Sequence, residues 1–459
     1  MRTQKKVLSV FSLAMINVIA VDSLRTLPIS AKLGLPVVAN YLLAAMIFFI
    51  PVALVAAELA TAYPSTGGIY VWVREAFGRR VAFITIWLQW IYNIVWYPTI
   101  LAFIAATFAY LFAPELSNNK YYLLGTITLL FWVFTWLNCL GMRVSSIVSI
   151  VGALIGTILP MVGIIALGFF WLHQGRPVQI NLHSNWLPDF SSFGNLSLFS
   201  AVLFSLIGIE MSATHAEDVK NPQRDYPRAL LYSTIIIFFT LVFGALAIVI
   251  VVPMDKLSLV SGLIEAYSTF FNTYHMPWMT SVTIWCIIIG ALSGVSAWII
   301  GPAKGLLISA QDNCIPKVFA KVNRHGVPVN ILLAQGVIFT ALSSIYIFID
   351  SINAAYLMLS VLSAQMALMV YIFMFSAAIK LRYSRPNQPG TYKIPGGKIG
   401  LWLTAGTGLI CCIATITIGF IPPSQIYVEN IGFFYTFIII GLIVFLVIPW
   451  LIAKKHHND

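Results

Sequence analysis

Charge is scarce in this sequence of 459 residues. Asp, Glu, Lys and Arg make up 9% of it, whereas 60% is hydrophobic and the mean hydropathy is +0.91. Soluble domains carry about 25% charged residues, so this composition excludes a soluble globular protein. The apolar runs also lack the short alternating segments of an outer-membrane barrel. The sequence therefore predicts an all-α polytopic membrane protein.

Cysteine is sparse, and nucleotide-binding motifs and clustered metal ligands are lacking. The five cysteines show no spacing that suits a disulfide framework or a metal site. No Walker motif or nucleophile elbow is present, so we expect no enzyme, no metal and no cofactor. We attribute the net charge of +11 to orientation in the lipid bilayer and expect no nucleic-acid partner.

Long apolar runs predict twelve spans separated by short loops, with no separate soluble domain. They lie at about 7–34, 36–62, 82–112, 121–141, 145–172, 192–214, 229–253, 277–309, 329–349, 352–380, 401–421 and 431–453. With the N-terminus inside, twenty Lys and Arg residues fall on inner segments and four on outer ones. This asymmetry predicts that both termini are cytoplasmic. We expect a monomer or homodimer in the lipid bilayer.

The first apolar run is interrupted by the sequence AVDSLRTLP at 20–28. Asp22 and Arg25 are costly at membrane depth, and Pro28 removes a backbone donor. These residues predict a helix that breaks near mid-membrane and frees backbone groups toward a cavity. The alternative is a short anchor followed by a polar external loop.

The sixth span predicts a second break, where Gly208 is followed by Glu210 in a segment that is still apolar. The alternative is a helix that ends at the cytoplasmic face. Breaks in the first and sixth spans suggest a five-plus-five inverted repeat, a typical sign of a transport site. The repeats would be 1–175 and 176–385, followed by 386–459 with the last two spans and a short tail.

The two breaks supply the candidate substrate-binding residues. Backbone amides near the first break could bind an α-carboxylate, and carbonyls near the second could bind an α-amino group. The candidates are Val21, Asp22, Ser23, Leu24 and Arg25, with Ser205, Leu206, Ile207 and Gly208.

Arg25 has two interpretations. It could pair with a substrate carboxylate or stand where a coupling ion would sit, or it could form a salt bridge with Asp22 one helical turn earlier. We slightly favour the internal pair. Glu210 could titrate a proton or pair with a cytoplasmic Lys or Arg, whereas Glu58 is expected to form a structural ion pair.

Candidates for gating or proton coupling lie on several spans: Glu210, Lys304, Trp298, Tyr92 and Tyr356. Lys304 could close an inner gate against an acidic group, and Tyr356 with Ser360 could line the path. Packing is the default for the aromatic residues of the third span. The histidines are expected to be solvated, although His215 could sense pH.

Several motifs together resemble one family, the bacterial glutamate:γ-aminobutyrate antiporters. They are GIE at 208–210, SATH at 212–215, NPQRDYP at 221–227, SAWIIGPAKG at 296–305, AQ at 310–311, NRHGVPV at 323–329, IPGGK at 394–398, AELAT at 57–61 and GG at 67–68. The resemblance covers nearly the whole chain. Asp22 and Arg25 depart from the mainly aromatic and apolar side chains of the acid-resistance antiporters, which argues against glutamate and γ-aminobutyrate as substrates.

The resemblance implies the amino acid–polyamine–organocation superfamily, with twelve helices and a LeuT-like inverted repeat. It also implies sodium-independent exchange of amino acids or their decarboxylated products across a bacterial inner membrane, at a site matching Val21 to Arg25 and Ser205 to Gly208. The short segment after Lys455 suggests no tail that plugs the inner mouth. We expect an amino-acid exchanger or proton-coupled permease working by alternating access. The alternative is a membrane sensor or channel without active transport.

Overall fold

The computed structural model describes most of the chain as helices joined by short turns. The described residues are 9–65, 67–140, 152, 154–181, 185–191, 193–212, 219, 221–386, 392–423, 426, 428 and 430–455. The main helices are α1 (Val10–Val21), α2 (Leu27–Ala31), α3 (Val37–Ala62), α4 (Ile69–Phe77), α5 (Arg79–Ala109), α6 (Lys120–Cys139), α7 (Leu154–His173), α8 (Phe193–Ser205), α9 (Pro222–Val251), α10 (Gly262–Thr273), α11 (Trp278–Gln311), α12 (Val329–Ser343), α13 (Ile352–Ser384), α14 (Gly397–Ile418) and α15 (Ile431–Lys455).

Within the described residues, eleven helical stretches are long and apolar enough to cross a membrane. They match the predicted spans other than the sixth to within a few residues, except that the predicted start of the fifth span, at 145, lies outside the described residues. The sixth span is the shorter apolar stretch Leu196–Ser212. The prediction of an all-helical polytopic membrane protein is confirmed, while the count of twelve and the inverted repeat stay predictions.

Helix α5 forms the centre of the bundle, and α15 lies at its edge. The most apolar window of α5 is 89% buried within the protein, compared with 17% for α15. Helix α5 packs mainly against α13 and α11. Because lipid covers what protein does not, α15 presents most of its side chains to lipid, and α5 holds its side chains between other helices.

Among the described residues, the buried charged side chains are Asp22, Arg25, Glu58 and Glu210. Glu58 binds Arg382 through two hydrogen bonds and accepts a third from the Ile394 amide at 2.9 Å. The prediction that Glu58 forms a structural ion pair is therefore confirmed. The other three buried charges lie at or beside the two helix breaks.

Candidate functional site

The first span is interrupted at Asp22 and Ser23, within the stretch 20–28 where a break was predicted. Helix α1 ends at Val21, and the next two residues are extended, with ψ angles of 96° and 115°. A single 3₁₀ turn, Leu24–Thr26, then leads into α2. Pro28 lies in the first turn of α2, where a missing backbone N–H leaves no helical hydrogen bond unmade. The proline thus favours a new helix start at this point.

Because the backbone at the first break is extended, some of its polar groups have no hydrogen-bond partner in the described part of the chain. The carbonyl of Asp22 and the amide of Ser23 have no hydrogen-bond partner among the described residues, whereas the Ser23 carbonyl accepts from the Thr26 amide and hydroxyl. Unpaired backbone groups are costly in an apolar setting, so this site favours a polar ligand or water.

The sixth span is also interrupted. Helix α8 ends at Ser205, residues 206–208 form a turn, and 209–212 form a short 3₁₀ helix. Gly208 has a φ angle of +120°, which side-chain-bearing residues rarely adopt. The carbonyls of Leu206 and Ile207 have no hydrogen-bond partner among the described residues. The second break therefore provides unpaired carbonyl oxygens as hydrogen-bond acceptors, whereas the first break provides the Ser23 amide as a donor.

The two breaks touch each other. A Cβ atom added to Gly208 would lie 3.1 Å from the Ala20 carbonyl oxygen. Tyr41 on α3 joins the second half of the first span to the sixth span, since its hydroxyl is 2.9 Å from the hydroxyls of both Ser30 and Ser205. Close packing of the two interrupted segments places their open backbone groups around one space.

That space, which we call the central cavity, has a volume of about 50 Å³. It is lined by Ala20, Val21, Ser23, Arg25, Thr26, Tyr92, Asn93, Trp96, Phe204, Ser205, Ile207, Trp298 and Ser363. A second cavity of about 60 Å³ lies between the first break, α5, α7 and α11. A third cavity, of about 40 Å³, lies between the two interrupted spans on one side and helices α13 and α14 on the other.

Arg25 lines all three cavities and is 3% exposed. Its Nη1 atom donates to the hydroxyls of Thr99 and Tyr356, at 3.0 and 2.9 Å. The guanidinium carbon lies 5.7, 5.9 and 5.7 Å from the ring centres of Trp96, Phe204 and Tyr356. Three aromatic faces at this distance attract a cation.

The favoured prediction of an Asp22–Arg25 salt bridge is wrong. Asp22 is 2% exposed and accepts a hydrogen bond from Thr240 on α9 at 2.9 Å, and no ion pair joins it to Arg25. The reason is the extended backbone at Asp22 and Ser23, because side chains three residues apart face each other only on a continuous helix. The two charges instead contact different neighbouring helices.

Glu210 lies just beyond the second break and is 4% exposed. The hydroxyl of Tyr371 accepts from the Gly208 amide at 3.0 Å and donates to the Glu210 carboxylate at 2.5 Å. Within the described part of the chain, Glu210 has no Lys or Arg partner. This arrangement does not support the helix-end ion pair considered above, and it couples the carboxylate to the backbone of the break.

The structure brings together many, but not all, of the predicted site residues. Asp22 and Leu24 line the second cavity, and Tyr356 and Ser360 line the third. The predicted residues that line none of the three cavities are Leu206, Gly208, Glu210 and Lys304. Lys304 is exposed on α11, and its role in a gate stays a prediction. His215 lies outside the described residues.

Several residues at the site were missed by sequence reasoning. They are Tyr41, Thr99, Phe204, Thr240 and Tyr371. Each is a common residue within an apolar helix, so the local sequence does not indicate that it contacts the site. Their partners lie far along the chain, and only the packing of α3, α5, α8, α9 and α13 around the breaks identifies them.

Comparison with known proteins places this architecture in a family. The amino acid permease family matches residues 6–445. The chain belongs to the amino acid permease family. It is therefore a multi-pass membrane protein of the amino acid–polyamine–organocation superfamily, and membership of this family implies an amino-acid transporter.

Three relatives are 70%, 29% and 25% identical to this chain. An uncharacterized transporter of Legionella pneumophila is 70% identical over 100% of this chain and 99% of the relative. A glutamate/gamma-aminobutyrate antiporter of Lactococcus lactis is 29% identical over 99% of this chain and 91% of the relative. A probable agmatine/putrescine antiporter of the same species is 25% identical, covering 89% and 86% of the two chains.

Proposed function

We propose that this protein is an alternating-access exchanger of amino acids whose substrate lies between the two helix breaks. The observation that carries the proposal is the contact between the breaks, where Gly208 packs against the Ala20 carbonyl beside the central cavity. The antiporter names of two relatives support exchange rather than one-way uptake. The relation of 1–175 and 176–385 as inverted repeats, with cytoplasmic termini, is part of this proposal.

The substrate's two backbone charges would meet complementary backbone groups. The Ser23 amide precedes the 3₁₀ turn and α2, so the positive end of a helix dipole points toward a bound α-carboxylate. The open carbonyls of Leu206 and Ile207 follow the end of α8, where the dipole is negative and favours an α-ammonium group. This polarity orients a zwitterion across the cavity.

Motion of the sixth span would be coupled to the substrate through Tyr371. Its hydroxyl holds both the Gly208 amide and Glu210, so a shift of the break changes both hydrogen bonds at once. Trp298 on α11 and Tyr92 on α5 line the same cavity and would cover the substrate. Two interrupted helices provide the hinge points that alternating access requires.

Counterflow in proteoliposomes tests the function directly. Purified protein would be reconstituted into vesicles loaded with one unlabelled amino acid at a time, and uptake of the same labelled amino acid measured with and without a proton gradient. We expect uptake driven by the internal amino acid for at least one member of the panel. Substrate-induced thermal stabilisation without counterflow by any member would instead support the sensor, and substrate-independent ion conductance would support the channel.

A further inference from the structure

The buried guanidinium of Arg25 has no carboxylate partner within the described residues. The Asp22 carboxylate accepts a hydrogen bond from Thr240, and that of Glu210 accepts one from Tyr371. Buried charges in proteins are normally paired, because removing a charge from water is costly. The aromatic rings around the guanidinium attract a cation but supply no net negative charge. The surroundings of Arg25 therefore favour an anion that the chain itself does not provide.

The two hydroxyls that bind Arg25 occupy only one of its nitrogens. Nη1 donates to Thr99 and Tyr356. The Thr99 hydroxyl donates its own proton to the Trp96 carbonyl at 2.6 Å, and the Tyr356 hydroxyl donates to the Arg25 carbonyl at 3.4 Å. The Nε atom is buried and has no hydrogen-bond partner among the described residues. The guanidinium is thus held at one end and keeps an unused donor.

Two serine hydroxyls line the third cavity together with Arg25. They belong to Ser200 on α8 and Ser360 on α13, and both Oγ atoms are buried without a hydrogen-bond partner in the described part of the chain. Ser200 precedes Phe204 by four residues, and Ser360 follows Tyr356 by four. Residues four apart share one face of a helix, and both of these rings lie over the guanidinium. Three unused donors from three spans therefore line one cavity.

The size and lining of the third cavity limit what it can bind. A buried water needs about 10–15 Å³, so a cavity of about 40 Å³ has room for a few waters or for one small ion with a water. The cavity is not lined by Ser23 or Ile207, whose open backbone groups would hold a zwitterion. Gln365 also lines it, with its Nε2 donating to the Ile416 carbonyl at 2.9 Å and its Oε1 unpaired among the described residues. That oxygen suits a water beside the ion.

We propose that the third cavity binds a small inorganic monoanion of the size of chloride, held by Arg25 Nε and by the hydroxyls of Ser200 and Ser360. Hydrogen bonds from these donors to an anion are charge-assisted, and the ion neutralises the buried guanidinium. The anion is a resident of the folded protein that stabilises the first break from the side of α13. This inference goes beyond the proposed function, because the ion lies in a different cavity from the amino acid.

A chloride titration without any amino acid tests the proposal. The thermal unfolding midpoint of the purified protein in detergent would be measured as sodium chloride replaces sodium gluconate at constant ionic strength. We expect the midpoint to rise with chloride and then saturate, since a ligand that binds only the folded state stabilises it. Bromide should replace chloride. Arg25→Gln should abolish the response, and Ser360→Ala should raise the half-saturating chloride concentration by roughly 10- to 100-fold.

Ser343→Ala is the matched control. Ser343 on α12 is also buried, its hydroxyl also has no partner among the described residues, and it lines none of the three cavities. This variant should respond to chloride as the wild type does.

Equal wild-type midpoints in chloride and gluconate would overturn the proposal and would mean that water alone solvates Arg25. A full response in Arg25→Gln, or equal responses in Ser360→Ala and Ser343→Ala, would also overturn it. Stabilisation by an amino acid but not by chloride would overturn it too. Since no transport is measured, failure of the proposed function would leave these results unchanged.

Discussion

The two breaks that meet at the cavity are built in different ways. The first break is marked by charged side chains, and its neighbouring helices bind them: α9 contacts Asp22, while α5 and α13 contact Arg25. The second break has a glycine at its centre, and one tyrosine hydroxyl holds its backbone. The first break thus depends on charged side chains that can contact a ligand. The second break depends on a backbone conformation that can change.

The strongest test of this contrast is Gly208→Ala. The substitution places a Cβ 3.1 Å from the Ala20 carbonyl oxygen at a φ angle of +120°. Backbone strain of this kind costs on the order of 1–3 kcal/mol. We expect the exchange rate in proteoliposomes to fall by roughly 10- to 100-fold if that cost falls on the transport cycle.

Gly125→Ala is the control for that substitution. Gly125 lies exposed on α6, and a Cβ added there would meet no atom within 4 Å. The control should exchange at the wild-type rate. Full activity of Gly208→Ala would show that the backbone of the second break can accept a side chain, and the contrast between the two breaks would be lost.

A smaller effect is expected for Tyr371→Phe. The ring would keep its edge-on contact with Phe48, at 5.3 Å between centres, but the Gly208 amide and Glu210 would lose their shared partner. Leaving buried polar groups unpaired costs about 1–3 kcal/mol. We expect slower exchange, with the half-saturating concentration less affected, since the tyrosine does not line the central cavity.

The matching control is Tyr383→Phe, which removes an exposed hydroxyl that accepts from Trp402. Exchange by this variant should equal that of the wild type. An unchanged exchange rate in Tyr371→Phe would mean that its hydroxyl plays no part in the motion of the second break.

The smallest predicted effect concerns the support of the first break. Thr240→Val removes the hydrogen bond to Asp22 and should lower the free energy of unfolding by about 1 kcal/mol. The measurement is the thermal unfolding midpoint of the purified protein in detergent. Thr417→Val is the control, because Thr417 is exposed and its hydroxyl bonds to the Ile413 carbonyl of its own helix. Equal midpoints for the two variants would contradict a supporting role for Thr240.

The same contrast explains what the sequence could predict. Charge in an apolar run placed the first break within residues 20–28, and the structure has it at Asp22 and Ser23. A glycine before an acidic residue placed the second break near Gly208. Both signals are local. The pairing of Asp22 with Arg25 was predicted wrongly because it assumed a continuous helix, whereas the break separates the two side chains.

The partners of the site residues could not be predicted. Arg25 binds Thr99 and Tyr356, which lie 74 and 331 positions away in the sequence. Tyr371 reaches Gly208 across 163 positions. Such contacts follow from how α5 and α13 pack against the interrupted segments. The sequence around a hydroxyl in an apolar helix does not indicate this packing.

The proposed mechanism requires an amino acid to lie between the two helix breaks. A cryo-EM map of the protein in lipid nanodiscs, with a transported amino acid bound, tests it most directly. We expect density between the Ser23 amide and the carbonyls of Leu206 and Ile207, with both spans interrupted. Continuous first and sixth helices, or density bound away from both breaks, would contradict it.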